Sequence, residues 1–344
     1  MSSSPDIAIV YNAFEPRPTA SGERLSEESV ADMARQAHDA VRSLGIGATL
    51  VPLQRSLLHF LGRVREVNPA ALINLCEGYY GRPQWESNVA GIFELLGLAF
   101  TGNAAKTLAI CQDKFRSKAV LRAAGLPTAP AQLMFDGTEP LELPFPLIVK
   151  PNAEDASLGI YPDSVVRDEA SLRERARRCL EGYGPPVLVE AFVDGREFNV
   201  SVMENGGVTP LPVSEIDFSA MPKDMPRILG YEAKWFEDHP LYQKTPPVCP
   251  APIGDGLRAE LQGLAAAAFR TLGCRDYARV DLRTDAKGRP FILEVNPNPD
   301  ISENAGFARA LTAAGIAYPE FWGLMVDNAL ARRTADDQAD GSER

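Results

Sequence analysis

Paired metal or redox motifs are missing from this chain of 344 residues. Its five cysteines, Cys76, Cys111, Cys179, Cys249 and Cys274, lie far apart, with no CxxC and no Cys/His ligand spacing. An odd, scattered set points to reduced, mostly buried thiols rather than zinc or a disulfide framework. Excess positive charge is missing too: 35 Lys and Arg face 46 Asp and Glu, a net charge of −11. That argues against nonspecific binding to nucleic acid or an anionic membrane, although local basic groups can still hold an anionic ligand. No uninterrupted apolar run approaches bilayer-spanning length, and the opening MSSSPDIAIVYN lacks the basic-then-apolar order of a secretory leader. A cytoplasmic location is therefore expected. There is no GxxxxGK[ST] phosphate loop, no internal repeat and no low-complexity tract.

What is present is an ordinary globular composition, 45% hydrophobic and 24% charged, long enough for two or three lobes. Residues 1–103 alternate strand and helix. DIAIVYN, GATLVPL and AALINLCE read as strands; SEESVADMARQAHDAVRSLG reads as an amphipathic helix, with Ser26 as its N-cap and Gly45 beyond its end. ESNVAGIFELLG follows as a second helix before LAFTGN. This alternation predicts a parallel α/β domain. Residues 104–188 hold a helix over CQDKFRSKAVLRAAGLP, strands at PAQLMF, FPLIVKP and PPVLVEAFV, and a charged helix over 168–181, a smaller α+β lobe. Residues 189–333 hold hairpin signals at Asn205-Gly206-Gly207 and at DAKGRP, and an apolar-faced helix over 256–272. The polar residues 334–344 are expected to fray.

The hairpin YARVDLRTDAKGRPFILEVN carries the first chemical signal. Alternate strand residues share a face, so Arg279 and Asp281 point one way on one arm, as do Glu294 and Asn296 on the other. Three oxygen-bearing side chains with an arginine suit a hard cation and a phosphate. A solvated surface ladder fits the hairpin by itself as well. Lys150 closes the strand LIVKP ahead of the small-residue loop NAEDASLG, a pattern that can hold phosphate oxygens and is also common on surfaces. Glu190 ends a strand and Glu197 follows a turn; between them Ala191, Phe192 and Val193 can wall a planar base whose edge backbone groups read. His59 and His239 belong to no constellation.

In this order, DKFRSKAVLRAAGLPTAP, LIVKP with SLG, VLVEAFVDGREF, YEAKW, LGCRDYARVDLR and FILEVNPNPD resemble the ATP-grasp superfamily, and most closely the D-alanine–D-alanine ligases, over about residues 90–330. The resemblance implies an α/β fold of three lobes, an N-terminal parallel domain, a small central α+β lobe and a C-terminal antiparallel-sheet lobe, with ATP between the last two. It implies that Lys114, Lys150 and Lys234 contact ATP phosphates, and that Glu190 through Val193 read adenine. Glu197 would hold ribose, and Ser157, Leu158 and Gly159 would form a loop closing over the phosphates. Asp281, Glu294 and Asn296 would bind two Mg²⁺ ions, with Mn²⁺ as a substitute, and Asn296 would also touch the nucleotide. Arg279, Lys234 and Ser157 would serve the reaction itself.

The implied reaction joins a small-molecule carboxylate to a small-molecule amine through an acyl phosphate, in a homodimer, with no nucleic acid or membrane involved. Departures from the family pattern bear on the substrate. A loop serine position of the family is Ala156 here, and a tyrosine position is Trp235. Glu15, Arg17, Glu23 and Arg24 do not reproduce the family's amino-terminal pattern. Asp300 stands where the family has glycine, and the serine-rich segment beyond it is largely absent, which disfavours a carboxylate and favours an amine. In CEGYYGRPQWES, Tyr79, Arg82 and Trp85 are further candidates to hold a carboxylate or ring. The product expected is thus an amide other than D-alanyl-D-alanine. D-alanine–D-alanine ligation, phosphoryl transfer to a small molecule without amide formation, and nucleotide sensing without turnover are the other readings.

Overall fold

The computed structural model describes residues 6–13, 23–155, 157–236 and 238–341, without the side chains of 23–29 and 334–341. Glu15, Arg17, Ala156 and the side chains of Glu23, Arg24 and Ser26 therefore lie outside the described residues. The chain opens with β1 (Asp6–Asn12), α1 (Glu23–Ser43), β2 (Gly47–Leu53), α2 (Leu57–Val67), β3 (Ala71–Leu75) and α3 (Glu86–Leu95). The strands pair in parallel in the order β2-β1-β3, as alternation with helices requires. The helix α1 begins at Glu23, three residues ahead of the expected cap. The helix α2 is not marked in the sequence pattern; Ser56 starts it by accepting from the His59 N–H at 3.2 Å. LAFTGN adds only one parallel bridge, Leu72 to Phe100.

The single helix expected from Cys111 is two: α4 (Ala105–Gln112) and α5 (Lys114–Ala123). Asp113 is extended (φ −87°, ψ 97°) and caps α5 by accepting from the Arg116 N–H, so its side chain stops one helix and starts the next. The second sheet is antiparallel, β4 (Ala131–Met134), β7 (Val187–Ala191), β5 (Leu147–Pro151) and β6 (Val165–Val166) in that order, backed by α6 (Glu169–Tyr183). The strand β7 continues to Ala191, past the lobe boundary expected at 188. The third sheet orders β11 (Pro247–Val248), β10 (Ser214–Ile216), β8 (Glu197–Glu204), β12 (Tyr277–Thr284) and β13 (Pro290–Asn296), with β9 (Val208–Pro210) on β8. The short helix α7 (Tyr231–Trp235) precedes β11, α8 (Asp255–Thr271) packs its apolar face on this sheet, and α9 (Gly306–Ala313) and α10 (Tyr318–Gly341) follow. The backbone of 334–341, expected to fray, continues α10.

The last helices return to the first sheet. Phe321, Trp322, Met325 and Val326 of α10 and Phe307 of α9 share one cluster with Met33, Val41, Ile7 and Ile73. A polar joint reinforces it. Asp276 is fully buried, and both its oxygens accept, from the Gly102 N–H (2.7 Å) and from the Arg332 guanidinium (2.7 and 2.8 Å). Asn103 donates to the Tyr277 and Pro297 carbonyls. These bonds fix the first sheet against the ends of β12 and β13. All five cysteines are free thiols, and no helix among the described residues is long and apolar enough to cross a membrane.

Candidate active site

The β12–β13 ladder sets Arg279 opposite Asn296 and Asp281 opposite Glu294, as the alternation predicts. The register shifts between Asp281 and Leu282, so the pairing resumes at Ile292, a bulge that ends the polar patch. On the other side β8 sets Asn199 beside Asp281. The intervening Val200, Val280 and Val295 point into the core under α8. One face of three strands thus carries the polar groups and the other anchors them.

Asp281 is bonded at every lone-pair direction. Its Oδ1 accepts from Asn199 (2.7 Å) and from Arg279 Nε (2.8 Å); its Oδ2 accepts from Arg279 Nη2 and Asn296 Nδ2, both at 2.9 Å. Because Asn296 donates with its nitrogen, its carbonyl oxygen is the atom left for a cation. Glu294 lies 3.7 Å from the buried Lys114 ammonium. Burial would raise its pKa, but Lys114, Lys150, Arg279 and Lys234 outweigh this and hold it down at about 2. Two carboxylates and an amide oxygen, with positive charge on several sides, fit a hard oxygen-seeking ion that shares its shell with phosphate. Among the described residues no three His, Cys, Asp or Glu side chains gather as a complete metal cage.

The lysines arrive on separate elements. Lys114 at the start of α5 also bonds the Glu154 carbonyl and meets Asp155 at 3.4 Å. Burial opposes its charge, but Glu294 and Asp155 raise its pKa overall. Lys150 of β5 pairs with Glu190 Oε1 at 3.0 Å. The other Glu190 oxygen pairs at 2.6 Å with Lys118 of α5, a fully buried lysine that no sequence pattern marked. Glu190 stays ionised between the two cations despite its burial. Lys234 of α7 has its pKa lowered by burial and by Arg279. Glu197 has its own raised, chiefly by burial, with Arg283 opposing at 3.6 Å.

A cavity of about 550 Å³ opens over this face, within the range of small-molecule sites. It brings together Lys150, Ser157, Glu190, Ala191, Phe192, Val193, Glu197, Lys234, Trp235, Arg279, Asp281, Glu294 and Asp300 of the expected residues. Lys114 and Asn296 stand behind the wall and touch it through Glu294 and Asp281. The N–H groups of Ala191 and Phe192 are committed to the Pro130 and Pro146 carbonyls, so a base edge would meet other backbone groups of this stretch.

Ser157 lines the cavity in a left-handed conformation (φ 62°), a cost for a residue with a Cβ. Leu158 and Gly159 lie beside it outside the lining, and a Cβ on Gly159 would meet Pro151 at 2.6 Å. The Ile160 carbonyl accepts from the Tyr231 N–H at 2.9 Å, tying this loop to α7.

Arg82 is not in the cavity. Its guanidinium lies 4.7 Å over the Trp85 ring, which stacks on Tyr79, and the latter two line a separate shallow groove. The same segment also carries two acids that sequence patterning missed, Glu77 and Glu86, neither of which lines the cavity. Burial and neighbouring acids push both up to about 8; for Glu77 these are Asp300 and Asp155, for Glu86 Asp155 and Glu77, although Asn298 donates to Glu86 at 2.9 Å.

The chain is similar to known proteins over most of its length. The family model described as D-ala D-ala ligase C-terminus matches residues 120–327. An uncharacterised protein of Sinorhizobium fredii is 32% identical, covering 92% of this chain and 90% of its own. D-alanine–D-alanine ligases of Bordetella petrii (31% identical, 90% of this chain and 91% of that one) and Alcanivorax borkumensis (33%, 90% and 92%) are similar throughout. The fold is that of the D-alanine–D-alanine ligase of Bacillus anthracis solved with ATP, at a TM-score of 0.75 and 19% identity over 97% of this chain and 100% of that one. The chain belongs to the D-alanine–D-alanine ligase family, on an ATP-grasp fold, and is an ATP-dependent ligase that forms C–N bonds.

Proposed function

We propose that the chain joins a small carboxylate to a small amine, at least one of them an amino acid or peptide, through an acyl phosphate, and that its product is not D-alanyl-D-alanine. The observation that carries the reading is the cavity wall itself, where Lys150, Lys234 and Arg279 face the oxygen donors Asp281 and Glu294. In this reading Lys114, Lys150 and Lys234 hold the ATP phosphates, Phe192 and Val193 wall the base, and Glu197 takes the ribose. Ser157 through Gly159 cover the phosphates. Asp281, Glu294 and Asn296 would hold Mg²⁺ or Mn²⁺, which supplies charge neutralisation on the transferred phosphoryl group. The substrate carboxylate takes the γ-phosphoryl group, ADP departs, and the amine displaces phosphate from the acyl carbon. Arg279 and Lys234 face the developing negative charge, and positioning with electrostatics supplies most of the rate.

The substrate reading rests on Asp300 and Trp235 in the cavity wall. We further propose that the chain engages neither nucleic acid nor membrane, supported by the acidic net charge of −11, and that it works as a cytoplasmic homodimer, as the resemblance implies. Phosphate release with Mg-ATP, screened over pairs of D- and L-amino acids and dipeptides with mass spectrometry of products, tests the proposal. An amide product from a pair other than two D-alanines supports it. D-alanyl-D-alanine as the main product overturns the substrate reading and leaves the reaction, an outcome favoured by the names of the 31–33% identical relatives. A phosphorylated product formed without amine overturns the ligation step.

A further inference from the structure

Where Glu197 and Phe192 line the cavity, one buried arginine joins segments that lie apart in the chain. Arg283 stands two residues beyond Asp281 on β12, on the same face, and lies opposite Glu197 of β8. It lines the cavity and is 3% exposed. Its Nη2 donates to the Gly195 carbonyl at 3.0 Å and to the Arg227 carbonyl at 2.6 Å. Its guanidinium carbon lies 5.1 Å from the centre of the Phe192 ring and 5.9 Å from that of Phe218. Gly195 comes this close because its turn rests directly on β12, where a Cβ would meet the Thr284 carbonyl oxygen at 1.9 Å.

The contact with Glu197 is of another kind. Arg283 Nη1 and the Glu197 carboxylate are 3.6 Å apart, an ion pair without a hydrogen bond, and among the described residues that carboxylate accepts no hydrogen bond. The charge draws the carboxylate to one place while its lone pairs stay open to a hydroxyl donor. The arginine cannot follow, because two main-chain carbonyls and two rings hold its fork. Its Nε is buried with no partner, which costs stability. An apolar side chain would fill the space between the two rings without that cost, so the charge answers to Glu197 rather than to packing.

Resting on the reading that Glu197 takes the ribose, we infer that Arg283 is a positioning residue that makes the site select ribonucleotides over deoxyribonucleotides, acting through Glu197. A carboxylate held in place is left without its donor when a sugar hydroxyl is missing, whereas one free to swing toward solvent is not. Arg283 bonds none of Lys114, Lys150, Lys234, Asp281 and Glu294, so its effect falls on the sugar and not on the phosphates.

Isothermal titration calorimetry of the full-length chain with Mg-ADP, Mg-2′-deoxy-ADP and Mg-3′-deoxy-ADP tests this without any ligation partner. Wild type is expected to bind ADP at least about tenfold tighter than one of the two deoxy forms. Arg283→Leu is expected to lower that ratio at least threefold, by weakening ADP while the deoxy form stays within twofold of its wild-type affinity. In a Glu197→Gln background the same substitution is expected to change the ADP affinity less than twofold, because Arg283 acts through Glu197. A ratio lowered less than threefold, whether both affinities are kept or both fall together, or a larger change in the Glu197→Gln background, overturns the inference and leaves the ribose reading standing. Should Arg283→Leu fail to fold by circular dichroism, Arg283→Lys decides, since it keeps the charge and loses the fork: a ratio lowered at least threefold supports the inference and a smaller change overturns it. Equal binding of all three nucleotides by wild type removes the ribose reading, and the inference with it.

Discussion

Arg279 lays its guanidinium fork on both oxygens of Asp281, from the same strand and two residues away. With Asn199 and Asn296 filling the remaining directions, a cation can reach Asp281 only by taking the place of one of these donors. The fork is the donor with another role to turn to, because Arg279 also lines the cavity where the phosphoryl group would lie. The prediction has two halves. Arg279→Met should tighten Mn²⁺ binding in the absence of nucleotide, measured by electron paramagnetic resonance titration. It should also lower kcat by about 10²–10³, as the loss of one preorganised donor does in other enzymes. Unchanged or weaker Mn²⁺ binding would show that the fork does not compete with the ion.

Glu294 is held ionised by four cations, and its removal leaves them facing one another. Glu294→Ala should abolish turnover, while circular dichroism and size-exclusion profiles stay those of wild type. Full activity in that variant would remove the metal-site reading.

The Asp276–Arg332 pair should matter to stability and not to chemistry. Asp276 is fully buried with three donors, so Asp276→Ala strands the Arg332 fork and the Gly102 N–H. A loss of about 3 kcal/mol is expected in urea unfolding. A change under 1 kcal/mol would mean that water replaces the carboxylate without penalty.

Glu86 has a pKa raised to about 8, against 4.5 when free, mainly by burial. Between these values the folded chain binds a proton that the unfolded chain has released, so this group's contribution to stability falls as pH rises from 4.5 to 8. Glu86→Gln should therefore raise Tm at pH 8 and change it little at pH 4.5. An equal shift at both would locate the effect in packing.

Much of the site was legible because strands encode it locally. Arg279, Asp281, Glu294 and Asn296 share a face through a period of two, and their cross-strand meeting follows from one tight turn. What was not legible depends on elements far apart in the chain. Lys118 meets Glu190 only because α5 packs against β4, the neighbour of β7, and Asn199 reaches Asp281 only through the register of β8 with β12. Arg82 could not be placed from the sequence for a different reason, since its guanidinium lies over the ring of Trp85 three residues on rather than in the cavity. The division at Asp113 was hidden because a helix-capping aspartate and an ordinary helical one look alike in a sequence.

The return of α10 to α1 and β3 gives the molecule a seam rather than two loose ends. The first helix and the first sheet lean on the aromatic pair of the last helix, Phe321 and Trp322, while residues 131–191 keep a separate core of their own. Trimming α10 would strip the floor from beneath the first sheet, where it packs on β3 and α1.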